Sequence, residues 1–171
     1  MGVFSIHLLS ESPIHMPGIL IQNLSERPIH IARNPQILTF PEMCLPGYFT
    51  PLEGSVEQAI AANHSLSDEA GKGEYLTALQ DAAARSKMVL AFGFAEKAGK
   101  EYFDAVGVID ATGEWLGVRR KNPLYPMDHE IKSFSQPDHS LRSVVMQTRY
   151  GKVGIACCFD GLAFEIHPQI P

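Results

Sequence analysis

The chain has 171 residues, 45% hydrophobic and 19% charged, with 14 Lys+Arg against 19 Asp+Glu for a net charge of -5. That suits a single domain with a real apolar core and excludes an intrinsically disordered chain. Only Arg27 and Arg33 are basic before Lys72, so no basic arm or stripe points to nucleic acid or an anionic membrane as partner.

Residues 1–35 are interrupted by Pro13, Pro17, Pro28 and Pro35 and offer no clean element. Ile37-Leu38-Thr39-Phe40, apolar, partly β-branched and stopped by Pro41, predicts a short buried strand. A loop over residues 44–51, a short helix within 53–63 and a polar break over 65–72 follow. Tyr75, Leu76, Leu79, Ala82 and Ala83 recur at helical spacing and predict the strongest helix, over 74–87. Strands are predicted over 88–95 and 103–110, and Ala111-Thr112-Gly113-Glu114 turns the chain into a strand over 115–120. Residues 121–140, rich in Pro, Asp and His, read as irregular. Two last strands, 141–148 and 153–158, flank an expected turn at Arg149-Tyr150-Gly151-Lys152. The order predicts an α/β sheet whose hairpins accompany a helical crossover, with helix only on the N-terminal side.

Cys44, Cys157 and Cys158 are odd in number and two are adjacent, so they read as reduced thiols rather than a disulfide framework. The opening MGVFSIHLLSES has no basic n-region, and no apolar run reaches the length of a membrane span. The expectation is a cytoplasmic protein. Its seven histidines show no metal-ligand spacing, although His129 and His139 flank the candidate site loop.

Glu42, Lys121 and Cys158 stand at or just past the ends of predicted strands, where ligands gather in open α/β sheets. A thiol, with a pKa of about 8.5, needs a neighbouring base to act as a nucleophile near neutral pH. Glu42 can be that base if burial raises its pKa, and Lys121 brings a positive charge for a developing oxyanion or a thiolate. This is equipment for acyl transfer from nitrogen to sulfur and on to water. Strand alternation over 153–158 would put Val153, Ile155 and Cys157 on one face and Gly154, Ala156 and Cys158 on the other.

FPEMCLPGY (40–48), GVRRKNPLYP (117–126) and YGKVGIACCFD (150–160) resemble, in order, the three motifs of the carbon–nitrogen hydrolase (nitrilase) superfamily. DAVGVIDATGEWLGVRRK resembles the strand-turn-strand leading to the family's lysine, and the likeness runs over about residues 36–165. The resemblance implies a four-layer αββα sandwich and a Glu–Lys–Cys triad carried by Glu42, Lys121 and Cys158. It implies thiolate attack on an amide or nitrile carbon, a thioester intermediate, hydrolysis by water that the Glu activates, and no metal or organic cofactor. Glu130, in HEIKSF, matches the family's second Glu, which positions substrate or base; a solvated loop carboxylate is the alternative. The backbone N–H of Phe159 would be a second oxyanion donor. The pattern GKVG, an apolar pair and then C-[YF]-D selects Cys158 and leaves Cys157, like Cys44, structural. Phe159-Asp160 after the cysteine, where nitrile-acting members commonly have Trp-Glu, favours a small-molecule amide or N-carbamoyl substrate. The family habit implies a homo-oligomer in the full-length form.

The chain departs from the family pattern at Arg119, where an aromatic is usual, at Asn122-Pro123, and at Phe164, where Pro is common. Residues 1–35 show no clear first strand or unbroken first helix. The family has more chain after Glu165, so the whole of 1–171 is expected to be one domain truncated after the nucleophile strand, with a bare sheet edge there. Two other readings stay open: an inactive remnant or assembly partner of a full-length homologue, and a vicinal-thiol redox or metal-binding protein using Cys157 and Cys158 alike.

Overall fold

A parallel pair of strands begins the fold. In the computed structural model, which describes residues 36–47, 54–138 and 144–159, Ile37–Thr39 (β1) lies beside Val89–Ala98 (β2) with Ile37 opposite Val89. The expectations for residues 1–35, 48–51, 141–143 and 160–165, and for His139, lie outside the described residues. Parallel neighbours need a crossover, which Val56–Ser65 (α1) and Glu74–Ser86 (α2) supply. α1 starts in a reciprocal cap: the Gln58 N–H donates to Ser55 Oγ, and the Ser55 N–H donates to Gln58 Oε1. α2 closes on Lys87, left-handed at φ 55°, whose N–H returns to the Ala83 carbonyl.

Glu101–Ile109 (β3) and Trp115–Arg120 (β4) extend β2 as an antiparallel meander, giving the sheet order β1-β2-β3-β4. β2 runs on to Ala98 because Ala98 still pairs with Glu101 across a tight Gly99-Lys100 turn. Alternation then sorts the core. Leu90, Phe92 and Phe94 face Leu76 and Ala83 of α2, whereas Val89 and Ala91 join Val106 and Val108 on the opposite face. That second face is covered by a two-stranded sheet, Val144–Thr148 (β5) with Gly151–Ile155 (β6), through Met146 and Ile155. The described residues therefore stack as helix, mixed sheet and second sheet, an α/β arrangement. Asp110 ties the sheets together: its Oδ1 accepts from the Arg149 N–H at 2.8 Å.

Three expectations change. Thr148 pairs with Gly151, so the turn is only Arg149-Tyr150. β6 ends at Ile155, and both late cysteines follow the strand instead of closing it. Residues 121–140 contain a helix, Asp128–Ser133 (α3), so helix is not confined to the N-terminal side. Six residues cannot show an apolar repeat, and α3 is held from outside. Asn63 Nδ2 donates to Ser133 Oγ at 3.1 Å, and His64 Nε2 lies 2.6 Å from the Ser133 carbonyl. No helix among the described residues is long and apolar enough to cross a membrane.

Candidate active site

Pro41 stops β1, and the chain turns through Glu42 with Met43 left-handed at φ 52°. That turn lies directly on β2. The Leu45 N–H and the Cys44 thiol both donate to the Gly93 carbonyl at 3.3 Å. A Cβ on Gly93 would stand 2.4 Å from Met43 N, 2.6 Å from Pro41 O and 2.8 Å from Glu42 C. Gly93 is therefore the residue that lets Glu42 approach the sheet. Sequence reasoning passed over it, although a lone glycine inside the apolar run LAFGFA is a recognised sign of close backbone approach.

Lys121 continues β4 by donating its N–H to the Asp104 carbonyl at 2.8 Å, and its side chain is fully buried. Its Nζ lies 2.6 Å from Glu42 Oε1, 2.6 Å from Glu130 Oε1 and 3.4 Å from Asp104 Oδ2. Glu130 comes from α3 and also accepts the Tyr125 N–H at 2.7 Å. At 1% exposure it is not a solvated loop carboxylate. Asp104, on β3, is equally buried and was not foreseen. Its signal was parity: it shares the inward face of Val106 and Val108.

Cys158 sits three residues past β6 at φ 45°, a conformation that costs a non-glycine residue about 1–3 kcal/mol. Its thiol lies beside the Glu42 carboxylate, and the Phe159 backbone N–H lies beside its sulfur. The Phe159 ring meets Tyr125 edge-to-face with centroids 5.1 Å apart. Cys157 also reaches Glu42, with Sγ 3.7 Å from Oε1, but is wholly buried among Val89, Ala91, Val106 and Val108. Cys158 is only partly buried, so of the two thiols it is the one an incoming molecule can meet.

The charges settle which groups hold protons. Burial, the neighbouring Glu42 charge and the hydrogen bond to it push the Cys158 thiol up to about 11, against the pull of Lys121. Burial pushes Glu42 up too, but hydrogen bonds from Asp104, Lys121 and Cys158 and the Lys121 charge outweigh it. Glu42 thus stands below the ordinary carboxylate value, opposite to the rise that a buried base was expected to show. Asp104 goes well above its ordinary value through burial, the Glu42 charge and the hydrogen bond with Glu42. Lys121 is held firmly protonated: the carboxyl groups of Asp104, Glu42 and Glu130 gathered around it overcome its burial. The resting arrangement is a neutral thiol, a carboxylate and an ammonium. Glu42, Asp104 and Cys157 offer three metal-type donor atoms within 4.8 Å of one another. The Lys121 ammonium already occupies the cation's position against them, so this grouping does not suit a metal.

The structure thus brings Glu42, Lys121, Glu130 and Cys158 together from four separate parts of the chain, with the Phe159 amide at the sulfur. The profile of the carbon–nitrogen hydrolase family matches residues 19–166. An N-carbamoylputrescine amidase of Solanum lycopersicum is 34% identical over 84 residues, 48% of this chain and 27% of that protein. A bromoxynil-specific nitrilase of Klebsiella pneumoniae subsp. ozaenae is 32% identical over 143 residues, 77% of this chain and 38% of that protein. The crystal structure of a carbon–nitrogen hydrolase from Helicobacter pylori G27 superposes with a TM-score of 0.57 at 22% identity, covering 73% of this chain and 40% of that one. The chain spans well under half the length of these relatives.

Proposed function

The chain belongs to the carbon–nitrogen hydrolase family, and on that premise we propose that it hydrolyses a non-peptide carbon–nitrogen bond through a thioester on Cys158. The observation that carries this reading is the partly exposed thiol of Cys158 beside a carboxylate that itself lies 2.6 Å from a buried ammonium. Because the thiol rests protonated, Glu42 takes its proton as Sγ attacks the carbonyl carbon. Lys121 keeps Glu42 ionised beforehand and supplies the positive charge nearest the developing oxyanion; the Phe159 N–H, already at the sulfur, supplies a dipole. The C–N bond then breaks, ammonia or an amine departs with the proton from Glu42, and a thioester remains. Glu42 next draws a proton from water, whose oxygen attacks the thioester, and the acid leaves as the thiol is restored. Glu130 fixes the far side of the ammonium.

An amide or N-carbamoyl group is the favoured substrate, since Phe159-Asp160 stands where nitrile-acting members commonly have Trp-Glu. A reduced nucleophile also suits the cytoplasm. The test is intact-mass spectrometry of the purified chain after exposure to simple amides, N-carbamoyl compounds and iodoacetamide. One adduct at Cys158, absent in Glu42→Gln and Lys121→Ala, is the expected result. A folded sample with no selective modification at Cys158 would overturn the proposal.

A further inference from the structure

Three carboxyl groups surround one ammonium in a site closed to solvent. The side chains of Glu42, Asp104 and Glu130 are 5%, 0% and 1% exposed, and Lys121 is the cation among them. Full ionisation would set three negative charges around one ammonium, and a buried carboxyl beside like charges binds a proton more readily. Geometry says which one. Lys121 makes 2.6 Å contacts to Glu42 and Glu130, and Glu130 also accepts the Tyr125 N–H. Asp104 stands 3.4 Å from the ammonium, and neither of its oxygens receives a hydrogen bond from a donor group among the described residues. Yet a carboxyl oxygen of Asp104 and one of Glu42 stand within 4.8 Å of each other, and a hydrogen bond between the two enters the shift of both. Two carboxyls form such a bond only when one of them carries a proton.

We propose that Asp104 is the proton-holding partner of Glu42, a positioning residue whose carboxyl O–H donates to the Glu42 carboxylate and keeps that base ionised. The other groups facing it fit this role. The Cys157 sulfur lies within 4.8 Å of it, and the Cys158 thiol lies beside the far partner, Glu42. Arg119 shares its face of the sheet beside Val106, with its guanidinium donating to the Arg120 carbonyl. Glu96 and Arg120 pair with each other at 2.7 Å, with the guanidinium over Phe103 on the opposite face. Glu42 and Asp104 thus bind and release protons as a unit, and the first proton to arrive resides on Asp104. Its consequence for catalysis rests on the function proposed above; its protonation does not.

Two measurements on the whole chain test this. The first is infrared spectroscopy of protein labelled with carbon-13 aspartate. At neutral pH exposed aspartates are ionised, so an isotope-shifted protonated-carboxyl band that is lost in Asp104→Asn is expected. Absence of that band in folded wild-type protein overturns the proposal, whether or not the variant folds. The second is the pH profile of iodoacetamide labelling at Cys158, whose acid limb follows Glu42. In Asp104→Ala the limb should move up by about one to two pH units, the value of a lost hydrogen bond to a charged group. In Asp104→Asn, which still donates, it should stay within about half a unit. Were Asp104 ionised, both variants would remove a like charge and the limb would move down. Failure of wild-type labelling altogether would sink the function proposed above while the infrared band still decided the state of Asp104.

Discussion

Gly93→Ala offers the sharpest test of how the site is built, because the substitution adds one methyl group far from any reacting atom. Its Cβ would meet Met43 N at 2.4 Å, with Pro41 O and Glu42 C also under 3 Å, and all three belong to backbone that cannot rotate away. Ordinary contact begins at 3.4 Å, so the turn carrying Glu42 must withdraw by about 1 Å. A displacement of that size opens the 2.6 Å contact between Glu42 and Lys121 beyond hydrogen-bond range. Misplacing a catalytic group by about 1 Å costs on the order of 100-fold in rate. Overpacking adds a loss of about 1–3 kcal/mol in stability, or roughly 2–4 °C in Tm per kcal/mol for a chain of this size. The assay is the rate of Cys158 labelling beside a thermal melt, with Gly154→Ala as control. Gly154 is solvent-exposed and a Cβ there meets nothing within 4 Å, so the control should stay within about 0.5 kcal/mol of wild type. A folded Gly93→Ala protein that labels at the wild-type rate would refute the claim that this close approach sets the position of Glu42.

Exchange of the cysteines should separate their roles. Cys158→Ala abolishes labelling and turnover, while Cys157→Ala retains both at a cost of about 1 kcal/mol from lost core contacts; equal dependence on the two thiols would favour vicinal-thiol chemistry instead. The thiolate absorbance of Cys158, taken as wild type minus Cys158→Ala, should rise near pH 11, and a midpoint below pH 8 would contradict the neutral resting thiol. Cys158→Gly should melt above Cys158→Ala by the equivalent of about 1 kcal/mol, since only glycine accepts φ 45° without strain, and equal melts would remove strain from the account. Asp104→Asn should change the pH dependence of stability. The native pKa of Asp104 is raised, so above the unfolded value the native state holds a proton that the unfolded state lacks, and wild-type stability falls by up to about 1.4 kcal/mol per pH unit. Glu42 works in the opposite sense in both proteins, its contribution being lost as pH falls, because its native pKa is lowered. The variant should therefore gain on wild type between pH 4 and 7 in urea unfolding, and a constant gap would count against a protonated Asp104.

What could be read from the sequence was whatever strand ends and periodicity expose. Glu42 and Lys121 follow apolar runs that do form β1 and β4, and the structure brings both to Cys158. The strands expected over 88–95 and 103–110 do form, as β2 and β3. The misses share a cause: they depend on contacts between distant segments. α3 is six residues long and exists because Asn63 and His64 of α1 hold its last turn. Alternation carried Cys158 onward as strand, yet the backbone leaves the ladder at Ile155 and turns left-handed. Gly93 and Asp104 were visible as oddities inside apolar strands, but only the turn packed on one and the acids around the other give them meaning.

The same distinction governs the chemistry. From residue types alone, a lysine near a cysteine reads as the stabiliser of a thiolate. In place, the Lys121 ammonium spends its contacts on Glu42 and Glu130, with Asp104 beyond, and the sulfur is left facing a carboxylate. A negative sulfur beside a negative Glu42 would be repelled, so the pair holds one charge and one proton between them. The proton stays on sulfur because Lys121, and the O–H that we assign to Asp104, both favour charge on the carboxylate. It follows that proton transfer and carbon–sulfur bond formation belong to the same step. A substrate carbonyl drains charge from the sulfur as the proton crosses to Glu42, so the thiol becomes nucleophilic only when something is there to attack. The high thiol pKa is a consequence of the acids gathered around the lysine, and any electrophile that reaches the sulfur depends on Glu42 to take the proton.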